Sequence, residues 1–200
     1  ISSDVVHGIC NSKISFKKII LSPRNKNKAL KLKKKFKKVV IAKSNQEVID
    51  KSDWIFLGVL PQIGEKILPS LKFKSKQTVV SFISTINYTK LKKIIKKEIK
   101  IVRAIPMPPI SLGKGPVAIF PPDKKVKNFF DKIGITIEIK SESLSKNFWA
   151  ISGTMASFYE ILRVLSNWLI KKGLKRKQAQ QYVTYLYSAL AELSKANSKK

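Results

Sequence analysis

Short apolar runs recur through the first two-thirds of the chain, at 18–21, 39–42, 54–59, 78–83, 99–104, 116–120 and 135–139. Each is rich in Val, Ile or Phe and has the length of a β-strand. Between most of them lie polar segments whose few apolar residues recur at helical spacing, as at 25–35, 45–51, 63–68 and 88–97, with Ser44 placed to cap the second. The strands are continuously apolar instead of alternating, so both sheet faces are expected to be covered. Strand-helix alternation of this kind predicts an α/β fold with a doubly wound, mostly parallel sheet over residues 1–140.

The pattern changes near Ser141. From there to the end no strand is predicted, and two helical stripes dominate: Met155, Phe158, Leu162, Leu165 and Leu169, then Ala179, Tyr182, Val183, Leu186, Leu190 and Leu193. Gly173 separates them, with Lys171 and Lys172 in the closing turn, where the helix dipole favours cations. Residues 141–200 therefore read as a second, all-helical domain whose stripes form core or dimer contacts. The polar stretch 194–200 is expected to fray. At the other end, 2–9 reads as the body of a helix whose beginning precedes Ile1, and both ends of the chain read as cut.

Composition adds bounds. With 44% hydrophobic residues and three Trp, a sizeable core is expected. No uncharged apolar run approaches eighteen residues, so no membrane span is expected. The single cysteine, Cys10, allows no internal disulfide, which fits a reducing, cytoplasmic setting or carries no redox information. A net charge of +29 invites a nucleic-acid reading, yet only four of the 41 basic residues are Arg, and the lysines spread over nearly every predicted helix. The densest run, 31–38, reads as a solvated helix face that attracts polyanions without specificity, so no specific nucleic acid is expected as a partner. His7, the only histidine, reads as structural or surface-placed. There is no Cys/His cluster for zinc and no Ser-His-Asp set, so no metal is expected.

Doubly wound sheets bind ligands beyond the carboxyl ends of their strands, so residues following each strand carry the functional signal. The first run ends in Ser22-Pro23-Arg24-Asn25. In a Rossmann-type domain an acidic residue here would hold the ribose 2′-hydroxyl. Arg24 in its place fits a 2′-phosphate and thus NADP(H), while the plain alternative is a Ser-Pro turn with a surface Arg. Asn45 follows the second run, and Gly58-Val59-Leu60-Pro61 ends the third, where Gly58 would let backbone approach a cofactor and Pro61 would open a helix. Ser84-Thr85 follows the fourth, and Pro106-Met107-Pro108-Pro109 the fifth, a stiff stretch able to wall a nicotinamide pocket. The eight glycines contain no Gly-x-Gly-x-x-Gly turn, so that turn and its strand are expected upstream of Ile1.

Taken in order, Ser22-Pro23-Arg24-Asn25, Ser44-Asn45-Gln46-Glu47-Val48, the stretch from Ser52 to Pro61, Val102-Arg103-Ala104-Ile105-Pro106 and Ile151-Ser152-Gly153-Thr154 resemble the pyrroline-5-carboxylate reductase family over nearly the whole chain. The resemblance implies a Rossmann domain, an all-helical domain that builds a homodimer or higher homo-oligomer, and NAD(P)H-dependent reduction of pyrroline-5-carboxylate to proline or of a related small cyclic imine. It implies cofactor contacts at Ser22, Arg24, Asn25, Asn45, Gly58, Val59, Leu60 and Pro61. It also implies substrate contacts at Ser152, Gly153 and Thr154, expected at a helix start where free backbone N–H groups can bind a carboxylate. No catalytic residue is assigned. Two stretches depart from the family: Met-Pro-Asn-Thr-Pro is replaced by Ile105-Pro106-Met107-Pro108-Pro109, and Met155 stands where a glycine is usual. These departures keep open a non-catalytic NADP-binding or partner-binding paralogue. A β-hydroxyacid dehydrogenase type would need a lysine near the nicotinamide, and none is placed.

Overall fold

The computed structural model describes residues 1–197, apart from the side chain of Trp149. It divides into two compact units, the first comprising 1–146 and the second beginning at Asn147.

In the first unit all seven apolar runs form strands: β1 (Ile19–Leu21), β2 (Val39–Ile41), β3 (Trp54–Leu57), β4 (Thr78–Ser81), β5 (Lys100–Pro106), β6 (Pro116–Phe120) and β7 (Ile135–Glu138). β1 and β2 make a two-stranded sheet, and the others make a five-stranded sheet in the order β3-β4-β5-β6-β7. Every pair is parallel except β5–β6. That exception has a local cause. The connection from Met107 to Gly115 is too short for a parallel crossover, which needs about a dozen residues. It folds instead as a 3₁₀ turn over Pro108–Leu112 and reverses through Gly113 and Gly115 at φ of 70° and 95°.

The helices of this unit are α1 (Ser2–Asn11), α2 (Lys26–Lys35), α3 (Asn45–Asp50), α4 (Pro61–Ile67), α5 (Tyr88–Ile95) and α6 (Lys124–Phe130). Side-chain caps define four of their starts. Asn25, Ser44, Asn87 and Asp123 accept the N–H groups of Lys28, Glu47, Lys90 and Val126 at 3.1, 3.1, 2.7 and 2.9 Å. α4 opens at Pro61, as expected of that proline and two residues ahead of the apolar spacing at 63–68, because proline suits a first helical position that needs no N–H partner.

Adjacent strand residues point to opposite faces, and both faces are covered. Val80 and Val102 pack with Val5 and Ile9 of α1 and with Phe130. Val79 and Ile101 pack on the other side with Ile49, Ile83 and Leu91. This two-sided burial explains why the strands read as unbroken apolar runs.

A third helix, α7 (Ser145–Gly153), crosses from the first unit into the second, which otherwise consists of α8 (Met155–Lys171) and α9 (Arg176–Asn197). The helical region was expected from Ser141, but the first compact unit extends to Lys146 because Glu142 pairs with Arg103 and Ser145 is buried. Gly173, at φ 100°, closes α8 in the left-handed conformation that glycine adopts freely. α8 and α9 pack on one another through Ala179 and Val183, and the rings of Phe158 and Tyr187 meet edge to face at 6.1 Å. Of the stretch expected to fray, 194–197 remains helical at the end of α9, and 198–200 lies outside the described residues.

Candidate functional site at the carboxyl strand ends

β1 and β2 deliver their ends to one place. The Ser22 hydroxyl donates to Asn45 Oδ1 at 2.7 Å and accepts the Arg24 N–H at 3.3 Å. One residue thus ties the turn after β1 to the start of α3. Asn25 is occupied as the cap of α2, so its side-chain oxygen is already engaged. Arg24 differs: it is exposed, and among the described residues its guanidinium makes no hydrogen bond or ion pair. Its five donors are free for an anion. No acidic residue lies in the sequence between Asp4 and Glu47, while Lys26 and Lys28 stand exposed at the start of α2, shortly after Arg24. Glu47 itself is engaged elsewhere. Hydrogen bonds from Lys51 Nζ and the Lys43 N–H hold its carboxyl below its ordinary pKa.

At the end of β3, the Ser2 hydroxyl of α1 donates to Gly58 O at 3.3 Å. A methyl group on Gly58 would lie 1.9 Å from that hydroxyl oxygen, so glycine lets the first turn of α1 rest against the strand end. Val59 is half-buried, whereas Leu60 is 63% exposed before Pro61 opens α4. The structure brings Ser22 and Asn45 into contact and sets Gly58 against α1.

At the end of β4, Ser84 and Thr85 are exposed. After β5 the proline-rich stretch turns inward: Ile110 is fully buried, and a methyl group on Gly8 would come within 2.5 Å of Ile110 O, so this turn seats directly on α1. Met107, Pro108 and Pro109 stay partly or wholly exposed.

The residues expected on the substrate side lie at the junction that leads into the first long helix, with Thr154 as the N-cap of α8. Ser152 and Gly153 are the last residues of α7, and Thr154 is the turn between α7 and α8. The Ser152 hydroxyl donates to Phe148 O at 2.7 Å, and both the hydroxyl and the N–H of Thr154 donate to Ile151 O. The Thr154 N–H is thus engaged within α7, because α7 runs almost without a break into α8. Among the described residues, nothing beyond its chain neighbours and its own helix backbone lies within 4 Å of where a Gly153 side chain would begin.

Arg103 and Glu142 were not foreseen as a pair. Arg103 sits mid-sheet, in register with Ser81 on β4 and Phe120 on β6, and its side chain is only 6% exposed. It pairs with Glu142, and its Nη2 donates to Ser84 O at 2.6 Å. The available signal was a charged residue inside the apolar run Ile101-Val102-Arg103-Ala104-Ile105. Among the described residues, no group of three or more His, Cys, Asp or Glu could hold a metal ion, and no helix is long and apolar enough to cross a membrane.

The mostly parallel sheet, the helices on both its faces and the polar groups at its strand ends define a Rossmann-type dinucleotide-binding fold followed by a helical region. A family model described as NADP oxidoreductase, coenzyme F420-dependent, matches residues 3–88. Pyrroline-5-carboxylate reductase from Synechocystis is 27% identical over 166 residues, covering 78% of this chain and 61% of that protein. The enzyme of the same name from Haemophilus influenzae is 25% identical, covering 72% and 57%. The chain thus spans about three-fifths of the length of the curated relatives it matches. Among solved structures, the Plasmodium falciparum pyrroline carboxylate reductase with NADP bound superposes with a TM-score of 0.82 at 26% identity, covering 96% of this chain and 74% of that one. The Streptococcus pyogenes 1-pyrroline-5-carboxylate reductase shares the fold with a TM-score of 0.82 at 24% identity, covering 97% and 75%. Over most of its length the chain is similar to pyrroline-5-carboxylate reductases, and its first half matches the NADP oxidoreductase model.

Proposed function

We propose that the protein binds NADP(H) at the carboxyl strand ends and reduces pyrroline-5-carboxylate, or a closely related small cyclic imine, to the saturated amine. The observation that carries this reading is Arg24. It is an exposed, uncommitted guanidinium at the end of β1, in a stretch without a carboxylate, beside a Ser22–Asn45 hydrogen bond. The residues present fit a phosphorylated dinucleotide. Arg24 would take the 2′-phosphate, Ser22 and Asn45 the adenosine ribose, and Asn25 would hold the first turn of α2 beneath them. Gly58, Val59, Leu60 and Pro61 would lie along the cofactor, with the missing side chain of Gly58 and the exposed face of Leu60 leaving it room. The bound cofactor would supply hydride, and the chain would orient it. Substrate contact is assigned to Ser152, Gly153 and Thr154. The two hydroxyls, which donate to backbone carbonyls of α7, would turn toward a carboxylate to bind it.

The family resemblance and the exposed apolar side chains of α8 and α9 support a homodimer formed through the helical region. Cofactor binding without turnover is the second reading. It is favoured by Met107 and Pro108, which put no side-chain donor after β5 where the family usually has polar residues.

The test is titration with NADPH and NADH, followed by NADPH oxidation in the presence of pyrroline-5-carboxylate. Loss of a charge-assisted contact of about 1.5–3 kcal/mol predicts that Arg24→Ala weakens NADPH binding roughly 10- to 100-fold and leaves NADH binding nearly unchanged. Equal weakening for both nucleotides would remove the role given to Arg24. NADPH binding with no oxidation across small cyclic imines would select the second reading.

A further inference from the structure

The Arg103–Glu142 pair has no part in the contacts proposed above, and burying a guanidinium in mid-sheet costs more than filling the same space with a Leu or Met. Its neighbours on β5, Ile101, Val102 and Ala104, are buried and apolar, so the core does not call for a charge there. The arginine does what an apolar residue could not. It reaches beyond its own strand to the loop between β4 and α5, donating from Nη2 to Ser84 O at 2.6 Å, and it bonds Glu142. The same Glu142 Oε1 accepts the N–H of Tyr88 at 2.7 Å. A single ion pair therefore grips both ends of the loop, Ser84 through the cation and Tyr88 through the anion. Within the loop, Ile86 is fully buried and Asn87 caps α5, while Ser84 and Thr85 face outward. The Tyr88 ring packs edge-on against Phe120, the register partner of Arg103, at 5.7 Å.

The place of this loop gives the pair its meaning. A cofactor held at Arg24 and lying along Gly58 to Pro61 meets the end of β4 next, because β4 is the neighbour of β3 in the sheet. We infer that Arg103 and Glu142 are positioning residues: a charge latch that fixes the loop 84–88 as a rigid rest for the reacting end of the cofactor. The inference relies on the proposed function for the identity of the cofactor. The latch itself stands on the loop geometry.

Amide hydrogen exchange on the whole chain, with and without NADPH, separates the two. In Arg103→Met, exchange of the amides from Ser84 to Tyr88 should rise about tenfold or more, the size of losing a hydrogen bond to a charged group, while the β4 and β5 cores stay protected. NADPH turnover should fall in kcat more than in KM, discrimination between NADPH and NADH should be kept, and Arg103→Lys should restore part of the loss. Should Arg103→Met fail to fold, Glu142→Gln carries the test, since the Glu142 side chain is partly exposed and the amide keeps its shape. It should loosen the Tyr88 amide. Unchanged loop exchange in the variant that folds, or a rise shared evenly with the sheet, overturns the latch. Absence of turnover in the unmodified protein would count against the proposed function and leaves the exchange result to decide the latch.

Discussion

Ser22 uses its hydroxyl in both directions, donating to Asn45 and accepting from the Arg24 backbone, so it sets the shape of the turn that presents the guanidinium. Removing it should disturb every ligand of this turn alike. Ser22→Ala is expected to lower NADPH and NADH affinity by the same factor, roughly three- to tenfold, the size of one neutral hydrogen bond. Parallel titrations check it, and selective loss of NADPH would mean that Ser22 itself reads the phosphate. Gly58 makes a steric prediction. Its neighbour Ser2 can rotate away from an added methyl, so Gly58→Ala should fold with little loss of melting temperature yet weaken both nucleotides. Arg24, Asn45 and Gly58 stand out in the sequence as candidates because each lies at or shortly after the end of an apolar run, and strand ends are where parallel sheets bind. Arg103 was not read as a site. Its partner lies 39 residues away, and nothing local marks a charged residue in a strand as buried and paired instead of edge-placed.

The strands and capped helices were legible for a related reason: their determinants are local. A run of Val and Ile, or an Asn or Ser three residues before a backbone donor, acts within one turn. α6 escaped notice because Val126, Phe129 and Phe130 are too few over seven residues to show a period, and Asp123 alone announces its start. That aspartate makes α6 sensitive to acid. Burial raises its pKa, but hydrogen bonds from Lys100 Nζ and the Val126 N–H outweigh burial and leave the carboxyl below its ordinary value. A depressed folded pKa contributes stability that is complete above the unfolded value and is lost as pH falls through the folded one. The urea midpoint should therefore drop below about pH 4, the ordinary range for Asp. Asp123→Asn, which keeps the cap but loses the Lys100 ion pair, should be less stable than the parent at neutral pH and should lose less on acidification. Urea titrations at neutral and acid pH check both halves of this expectation.

At the scale of the molecule the helical stripes divide into a packed part and an exposed part. Both stripes read as core or dimer contacts, yet two helices share only one mutual face, and Ala179 and Val183 occupy it. Tyr182, Leu190 and Leu193 stay 64%, 49% and 59% exposed, beside Trp168 at 56%. Large apolar side chains left exposed on two helices of a chain otherwise crowded with lysine are the kind of feature that marks a contact surface. A second copy is the proposed occupant. The interface should bury on the order of 800 Å² per copy, the usual size of a specific contact. Sedimentation equilibrium should then give at least twice the chain mass of 22.6 kDa. Leu190→Glu places a charge in that contact while disturbing little within one chain, since the side chain is half exposed. It should yield monomers with unchanged helix content by circular dichroism. A parent chain that sediments as a monomer at all concentrations would remove the dimer. A Leu190→Glu protein that still assembles would move the interface to another face of α8 and α9.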